Sequence, residues 1–454
     1  MRVWLIWMAL LPATGTAADP FIVGACTHFE QGKGLLKANL SMMRQAGISS
    51  FRDEIGWRAI EKTKGQYEMP AAWDEFVNEG LKAGIEPLLI LDYGNPLYDN
   101  GDKPRSAEAI EAFTKYAEFV VRHFQGRVKL YEVWNEWDIA IGSKTPGSAD
   151  DYGALLKAVY PRIKAVDPSI TVFGGAPTPG GVKNGWLERI LEKGALSFMD
   201  ALSIHTYTYS ETGRARGPEA WAEWMAQVET MAQKYSGGKL VPLQITETGW
   251  PTQIDRRGTP PEVSAAYLAR LFLLARTMPF LKGVWWYDFQ DDGWNASYNE
   301  NNFGIVRPDL TPKPSWFAMA SVGAVAARGE YLGRVETADP DVWVLRFREP
   351  GGAQTWAVWS AHPDDGWQVT IRAPRPGAPP LTVRESGRTA LQREWGTRNW
   401  AEARGTSAEA ATDLLDLVVR GMPWLITGSL EGASVVSVKR REAAELSRSI
   451  IYLQ

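Results

Sequence analysis

The sequence of 454 residues has a single cysteine, Cys26, and only four histidines. One cysteine excludes a disulfide bond within the chain. The histidines are widely separated and form neither an HExxH pattern nor a Cys/His cluster; they are His28, His123, His205 and His362. We therefore predict no structural zinc site, and nothing in the sequence calls for another metal or a cofactor.

Clusters of positive charge and long apolar runs are also missing from the sequence. The formal net charge is −4, and Lys and Arg are not concentrated in any run. Nucleic-acid-binding proteins usually carry a concentrated basic face, so nucleic acid is not an expected partner.

The N-terminal residues 1–18, MRVWLIWMALLPATGTAA, contain an apolar run at 3–11. This run is shorter than the roughly 20 residues of a membrane span. A positive start at Arg2 and small residues at 13–18 are typical of a secretory signal peptide, with an uncleaved signal anchor as the alternative. We expect an exported protein that is periplasmic, associated with the inner membrane, or secreted.

Tryptophan, in contrast, is abundant. The chain has 21 tryptophans, of which fourteen precede residue 331 and seven follow it. Flat apolar side chains in this number favour a surface that recognises the flat faces of sugar rings, although an aromatic-rich core is the simpler alternative.

Short apolar runs alternate with helical patterns through residues 19–330. The runs are 21–25, 49–54, 86–93, 128–136, 171–176, 201–207, 241–249 and 282–289. Near-continuous apolar runs are typical of parallel strands covered on both faces. Eight such units predict an α/β fold, a closed (β/α)8 TIM barrel, and the absence of GxGxxG after the first run argues against a dinucleotide-binding fold.

The pattern changes near residue 331. Short strand-like runs with Pro and Gly between them, including a hairpin turn at Pro350-Gly351-Gly352, predict a C-terminal all-β, sandwich-like domain over 331–440 and a tail over 441–454. This domain either braces the barrel or binds sugar.

Two carboxylates lie where barrel active sites are found, at the C-terminal ends of strands. Glu136 ends the fourth run in "YEVWNEWD", and Glu247 ends the seventh in "ITETGW". Strands four and seven are nearly opposite in an eight-stranded ring, so the two side chains should face each other. A facing pair of carboxylates suits cleavage of a glycosidic bond.

The surroundings of the two glutamates differ. Trp134 and Trp137 flank Glu136, and apolar rings raise the pKa of a carboxyl group, which suits a proton donor. Arg52 and Tyr207, at other strand ends, are available to keep Glu247 ionised, which suits a nucleophile.

These motifs carry a resemblance to a known family. The Asn-Glu of strand four, the Glu of strand seven, "FRDEIGWRAIEKTKGQYE", "HTY", Trp286 and "FGIVRPDLTPKPSW" resemble the clan A glycoside hydrolases over roughly residues 21–330. The detail of "YEVWNEWD" and "ITETGW", with the added β domain, is most similar to family 39, and within it to hydrolases of the Psl-type biofilm polysaccharide.

The resemblance implies a role for each matching residue. Glu136 would be the acid/base, Glu247 the nucleophile, and Asn135 the partner of the sugar 2-hydroxyl. Arg52 and Tyr207 would orient the nucleophile. The remaining expected substrate contacts are Trp286 as the floor under the sugar, His28, His205, Trp57, Tyr93 and Trp250, with a core position left open for Trp57 and a position behind the substrate for His205.

We therefore expect a retaining glycoside hydrolase that cleaves within a mannose-containing exopolysaccharide, with possible contacts to the membrane and to the polysaccharide export machinery. Family 39 also includes β-xylosidases and α-L-iduronidases. An exo-acting glycosidase such as a β-xylosidase, a transglycosylase and a non-catalytic polysaccharide-binding protein remain alternatives.

Overall fold

The computed structural model describes residues 21–362, 366–375, 379, 381–386, 391–393 and 413–441. The predicted signal segment 1–18 lies outside these residues, as does the predicted tail 441–454 apart from Arg441. Every helix within the described ranges is too short or too polar to cross a lipid bilayer.

Eight parallel strands close into a barrel in chain order, with β1 pairing to both β2 and β8. The (β/α)8 prediction is therefore confirmed. The strands are β1 (Ile22–Cys26), β2 (Ser50–Gly56), β3 (Glu86–Asp92), β4 (Leu130–Val133), β5 (Thr171–Gly175), β6 (Ala201–His205), β7 (Leu243–Thr248) and β8 (Leu281–Trp286).

Helices follow the strands around the barrel. They are α1 (Leu36–Gln45), α2 (Trp57–Ile60), α3 (Ala71–Lys82), α4 (Ala107–His123), α5 (Ala149–Val166), α6 (Pro179–Lys183), α7 (Trp186–Glu192), α8 (Pro218–Tyr235), α9 (Pro261–Ala275) and α10 (Pro314–Arg328). Short 3-10 turns lie at Asp99–Gly101, Ala195–Phe198, Gly213–Arg216 and Asn299–Asn302.

Local sequence sets several of these helix ends. The side chains of Ser106, Ser148 and Thr178 accept a hydrogen bond from the backbone N–H three residues on, which caps α4, α5 and α6. Gly47 and Gly84 follow α1 and α3 at φ values of 78° and 73°, a left-handed conformation that glycine adopts most easily.

Side chains fill the barrel interior. Cys26, Leu88, Phe173 and Trp285 belong to one buried cluster inside the strands. The only cysteine is thus a small core residue, and the barrel is a packed core rather than a channel. Side chains that could carry out a reaction are therefore expected at the rim of the barrel, where the strands end.

The C-terminal region forms two antiparallel sheets, which confirms the predicted β domain. One sheet has the order β14-β13-β16-β11-β10-β9 and the other β15-β12-β17. The strands are β9 (Glu330–Arg334), β10 (Val342–Arg348), β11 (Gln354–Ser360), β12 (Trp367–Arg372), β13 (Leu381–Glu385), β14 (Leu391–Arg393), β15 (Leu414–Val419), β16 (Trp424–Gly428) and β17 (Ser434–Arg440). The predicted hairpin joins β10 to β11, where Arg348 pairs with Gln354.

A buried polar tie joins the β domain to the barrel. Glu219, on α8, pairs with Arg270 of α9 at 2.6 Å and accepts a 2.8 Å hydrogen bond from the indole of Trp359 on β11. Phe347 and Trp359 also belong to the same apolar core as the barrel helices. These contacts support a bracing role for the domain.

Candidate active site

The backbone kinks directly after β4. The strand ends at Val133, three residues before the predicted end, because Trp134 and Glu136 adopt left-handed φ values of 67° and 48°. Such a conformation costs a non-glycine residue about 1–3 kcal/mol and recurs at functional sites. The buried rings of Trp134 and Trp137 and a hydrogen bond from the Glu136 N–H to the Ala176 carbonyl (3.1 Å) hold the kink in place.

A cavity of about 220 Å³ opens at the C-terminal ends of the strands. Both predicted catalytic glutamates line it. The predicted site residues that join them on its wall are His28, Arg52, Tyr93, Asn135 and Tyr207. Strand ends far apart in sequence thus meet in one small space, as barrel topology requires.

Glu136 and Glu247 form a close pair in this cavity. An oxygen of each, together with a nitrogen of His205, lies within 4.8 Å of the other two. The His205 Nδ1 atom is 2.9 Å from Glu136 and 3.5 Å from Glu247. His205 is fully buried and does not line the cavity, so it lies behind the carboxylates rather than against the substrate.

Glu247 is held in its ionised form. Burial alone would raise the pKa of this carboxyl group, but the charges of His205 and Arg52 and the hydrogen bond from Tyr207 together lower it below the usual value. Arg52 Nη1 and the Tyr207 hydroxyl each donate to it at 2.7 Å. An ionised carboxylate with fixed oxygens is suited to nucleophilic attack.

The pKa of Glu136 shifts in the opposite direction. Burial raises the pKa of its carboxyl group, and the contact with His205 only partly offsets this. The direction agrees with the expectation drawn from Trp134 and Trp137. Two carboxyls whose pKa values are pushed apart can divide the acid and nucleophile roles.

Arg52 organises one side of the site. Its guanidinium group donates to Glu132 at 2.7 Å, to Glu247 at 2.7 Å and to Asn135 at 2.8 Å. The fully buried Glu132 was not predicted. An acid inside the apolar run "YEVW" was the available signal, since a buried carboxylate needs a buried cation.

Asn135 is fixed at both ends of its amide. The oxygen accepts from Arg52, and the nitrogen donates to the Tyr93 hydroxyl at 2.8 Å. An amide nitrogen carries two hydrogens, so one is left for a substrate. The predicted contact with a sugar 2-hydroxyl, and the other assigned substrate roles, stay predictions.

Three of the predicted substrate contacts are wrong in this structure. Trp57, Trp250 and Trp286 are fully buried and do not line the cavity. Trp57 stacks on Tyr98 with ring centroids 5.1 Å apart and donates to Glu61, which confirms the core alternative. The other two indoles pack on each other and donate to backbone carbonyls.

Tyr287, the residue after Trp286, lines the cavity instead, because successive residues along a strand point to opposite faces. Which aromatic side chain lies under the sugar stays a prediction. Tyr287 donates to Glu300 at 3.2 Å. Glu300 also lines the cavity and was not predicted, because it lies in the Asn299–Asn302 turn, where no periodic pattern indicates it.

His28 lies at the edge of the cavity, where its Nδ1 atom is 3.2 Å from Asp288 and 3.0 Å from Asp292. These three side chains and the Glu136–His205–Glu247 group are spaced closely enough to hold a metal ion. Ion pairs and hydrogen bonds within each group already account for the spacing.

No protein-family profile matches the sequence. Curated relatives are similar over part of the barrel. The furostanol glycoside 26-O-beta-glucosidase of Hellenia speciosa is 30% identical over 125 residues, covering 24% of this chain and 22% of that protein. Beta-glucosidase 2 of Oryza sativa subsp. japonica is 25% identical over 185 residues, covering 38% of this chain and 37% of that protein. The chain thus matches well under half the length of either relative.

Solved structures match much more of the chain. A family 39 glycoside hydrolase from the gut symbiont Bacteroides cellulosilyticus WH2 has 27% identity and a TM-score of 0.72, with 90% of this chain and 81% of that chain covered. The chain has the architecture of a family 39 glycoside hydrolase. The resemblance to family 39 and clan A is confirmed; the narrower likeness to Psl-type hydrolases stays a prediction.

Other solved structures share the same fold at lower identity. A monomeric beta-xylosidase from Caulobacter crescentus CB15 has 17% identity and a TM-score of 0.61, covering 90% of this chain and 97% of that chain. The GH39 enzyme from Xanthomonas axonopodis pv. citri has 15% identity and a TM-score of 0.59, with coverages of 92% and 99%.

Proposed function

We propose that this protein is a retaining glycoside hydrolase that cleaves bonds within an extracellular, mannose-containing polysaccharide. The proposal depends on one observation above all. Two carboxyl groups whose pKa values shift in opposite directions lie in one cavity at the barrel rim, Glu136 raised and Glu247 lowered.

The proposed reaction has two steps. Glu247 attacks the anomeric carbon and forms a glycosyl ester, while Glu136 gives its proton to the oxygen of the leaving sugar as the glycosidic bond breaks. Glu136, now ionised, then takes a proton from water, whose oxygen attacks the anomeric carbon and releases Glu247. Tyr207 and Arg52 keep Glu247 ionised before the first step.

The spacing of the pair supports retention of configuration. In retaining enzymes the carboxyl groups are about 5–5.5 Å apart, whereas inverting enzymes leave about 6.5–9.5 Å for a water molecule. Oxygens of Glu136 and Glu247 within 4.8 Å of each other leave too little room for the inverting arrangement. NMR of the first product formed should show the starting anomeric configuration, and an inverted product would refute double displacement.

Internal cleavage is supported by the shape of the site. A second cavity of about 340 Å³ shares Thr27 and His28 with the catalytic cavity, and in this proposal it receives a further sugar of the chain. Sizing the products of mannose-rich exopolysaccharides distinguishes the alternatives. Oligosaccharides favour endo action, monosaccharides an exo-glycosidase such as a β-xylosidase, and longer glycosides made in the presence of an acceptor a transglycosylase.

Substitution tests the enzyme against a non-catalytic binding protein. Glu247→Gln should abolish turnover of every substrate, and Glu136→Gln should impair polymer cleavage while partly sparing aryl glycosides with good leaving groups, which need less protonation. Glu192→Gln, at an exposed site on α7, removes the same charge away from the cavity and serves as the control. Polymer cleavage that persists at the wild-type rate in either active-site variant would remove that residue from the mechanism.

The proposed location is outside the cytoplasm, with the N-terminal segment directing export and contacts to the membrane or to polysaccharide export proteins. Its support is the pattern of residues 1–18. Cell fractionation of the full chain, beside a form lacking residues 2–18, is the test. Equal recovery of both forms from the cytoplasm would refute export.

A further inference from the structure

Five acidic side chains line the catalytic cavity. They come from β2, from the segment after β4, from β7 and from the turn after β8, and they are Asp53, Glu54, Glu136, Glu247 and Glu300. Among the described residues of this wall, the basic side chains are Arg52 and His28.

Both basic groups are already paired. Arg52 is bound to the buried Glu132 and to Glu247 at 2.7 Å each. His28 contacts Asp288 and Asp292. Neither can neutralise an incoming anion without giving up a carboxylate it holds now.

Cationic side chains outside the cavity wall also lie beside acidic residues. Lys33, in the neighbouring cavity, lies 2.8 Å from Asp292. The charge of Arg257 acts on Tyr209 at the cavity wall, but its side chain is 58% exposed and 3.6 Å from Asp255.

Two of the wall carboxylates are not needed for the chemistry described above. Glu54, at the end of β2, receives a hydrogen bond from Tyr93, and Glu300 accepts from Tyr287 at 3.2 Å and from Asn299 at 2.7 Å. Their described partners are neutral donors rather than cations. Asp53 differs, because its carboxylate is used by Thr27 at 2.6 Å and by the Phe29 N–H at 2.7 Å.

We infer that the catalytic cavity selects sugars that carry no carboxylate, and that Glu54 and Glu300 are specificity-determining residues that exclude uronic acids. A neutral hexose or pentose can donate hydroxyl hydrogens to both groups, and such charge-assisted hydrogen bonds are strong. A uronate brings a like charge into a partly buried site, where salt screens poorly. The inference rests on the proposed hydrolase activity and narrows its substrate class.

The test compares 4-nitrophenyl β-glycosides of glucose, mannose, xylose and glucuronic acid. At about pH 7 a uronate is ionised. We expect wild-type kcat/KM for the best neutral glycoside to exceed that for the glucuronide by roughly 100-fold, because each of the two extra charges, at about 6 Å and an effective dielectric constant near 40, disfavours the uronate by about tenfold. Burial raises the pKa of both Glu54 and Glu300, so their charge, and with it the ratio, should grow as the assay pH rises. At a pH at which both are ionised, Glu54→Gln and Glu300→Gln should each narrow the ratio by about tenfold, since each removes one charge without changing side-chain shape.

Glu192→Gln is the matched control and should leave the ratio unchanged. Because a ratio is measured on one preparation, it does not depend on the fraction of protein that folds. Equal or better turnover of the glucuronide by the wild type, or an unchanged ratio in both cavity variants, would overturn the inference while leaving the hydrolase proposal intact.

A binding measurement covers the case in which aryl glycosides are not cleaved. Calorimetry of the wild-type protein with mannan oligosaccharides and with alginate oligosaccharides needs no turnover. Tighter binding of the neutral oligosaccharide supports the inference, and equal or tighter binding of the uronic acid oligosaccharide refutes it. Failure of all glycosides and polymers to be cleaved would count against the proposed hydrolase alone.

Discussion

Replacing Tyr207 with phenylalanine tests how the protein keeps Glu247, its proposed nucleophile, ionised. The Tyr207 hydroxyl donates to Glu247 Oε2 at 2.7 Å, and this bond is among the interactions that lower the pKa of Glu247 against the effect of burial. Tyr207→Phe deletes one oxygen atom and leaves the ring, which contacts Tyr209, Tyr287 and Phe303.

The magnitude follows from the charge on the acceptor. A hydrogen bond to an ionised group contributes about 1.5–3 kcal/mol. Because the bond favours the ionised over the protonated form, its loss should raise the pKa of Glu247 by about 1–2 units at 1.36 kcal/mol per unit. Activity requires ionised Glu247 and is lost as pH falls through this pKa, so the acidic limb should move to higher pH.

The assay is the pH dependence of kcat/KM, which reports the groups of the free enzyme. We expect the acidic limb of Tyr207→Phe to lie about 1–2 units above that of the wild type, with plateau activity reduced about tenfold or more. Tyr209→Phe is the control, because Tyr209 lines the same cavity and its hydroxyl group contacts Asn299 rather than Glu247. An acidic limb that stays in place in Tyr207→Phe would refute the reasoning.

Three further substitutions separate chemistry from stability. Arg52→Lys should lower kcat by about 100-fold with the fold retained, since a lysine cannot reproduce the three contacts of the guanidinium group; near-normal turnover would show that this geometry is dispensable. Trp359→Phe should lower the free energy of unfolding by about 1–3 kcal/mol in chemical denaturation, because Glu219 loses a buried hydrogen-bond donor. If the β domain only braces the barrel, kcat/KM of this variant should stay unchanged. Trp57→Phe should likewise reduce stability by about 1–3 kcal/mol without changing KM, and an increased KM at full stability would restore Trp57 as a substrate contact.

Local patterns in the sequence were sufficient to predict the fold and the proximity of Glu136 and Glu247. Eight apolar runs separated by helical patterns predict parallel strands because burial on both faces removes the polar alternation. Once the barrel is assigned, its topology places strands four and seven on opposite sides. Glu136 and Glu247 could therefore be paired across 111 positions without coordinates.

Other features depended on contacts that no local pattern encodes. To decide whether Trp286 or Tyr287 lines the cavity, one must know which face of the barrel strand each side chain points to. Successive residues point to opposite faces, so an error of one residue selects the wrong side chain. The kink at Trp134 and Glu136 ends β4 early because buried rings and a bond to Ala176 hold an unfavourable φ.

The charge of the site was decided by the tertiary structure alone. Arg52 was predicted from the sequence as a partner of Glu247, but only the structure shows that it also pairs with the buried Glu132. Glu300 lies in a turn without periodicity. Coulomb interactions depend on distance in space, so only the folded chain shows which acids share a cavity and which cations are already paired.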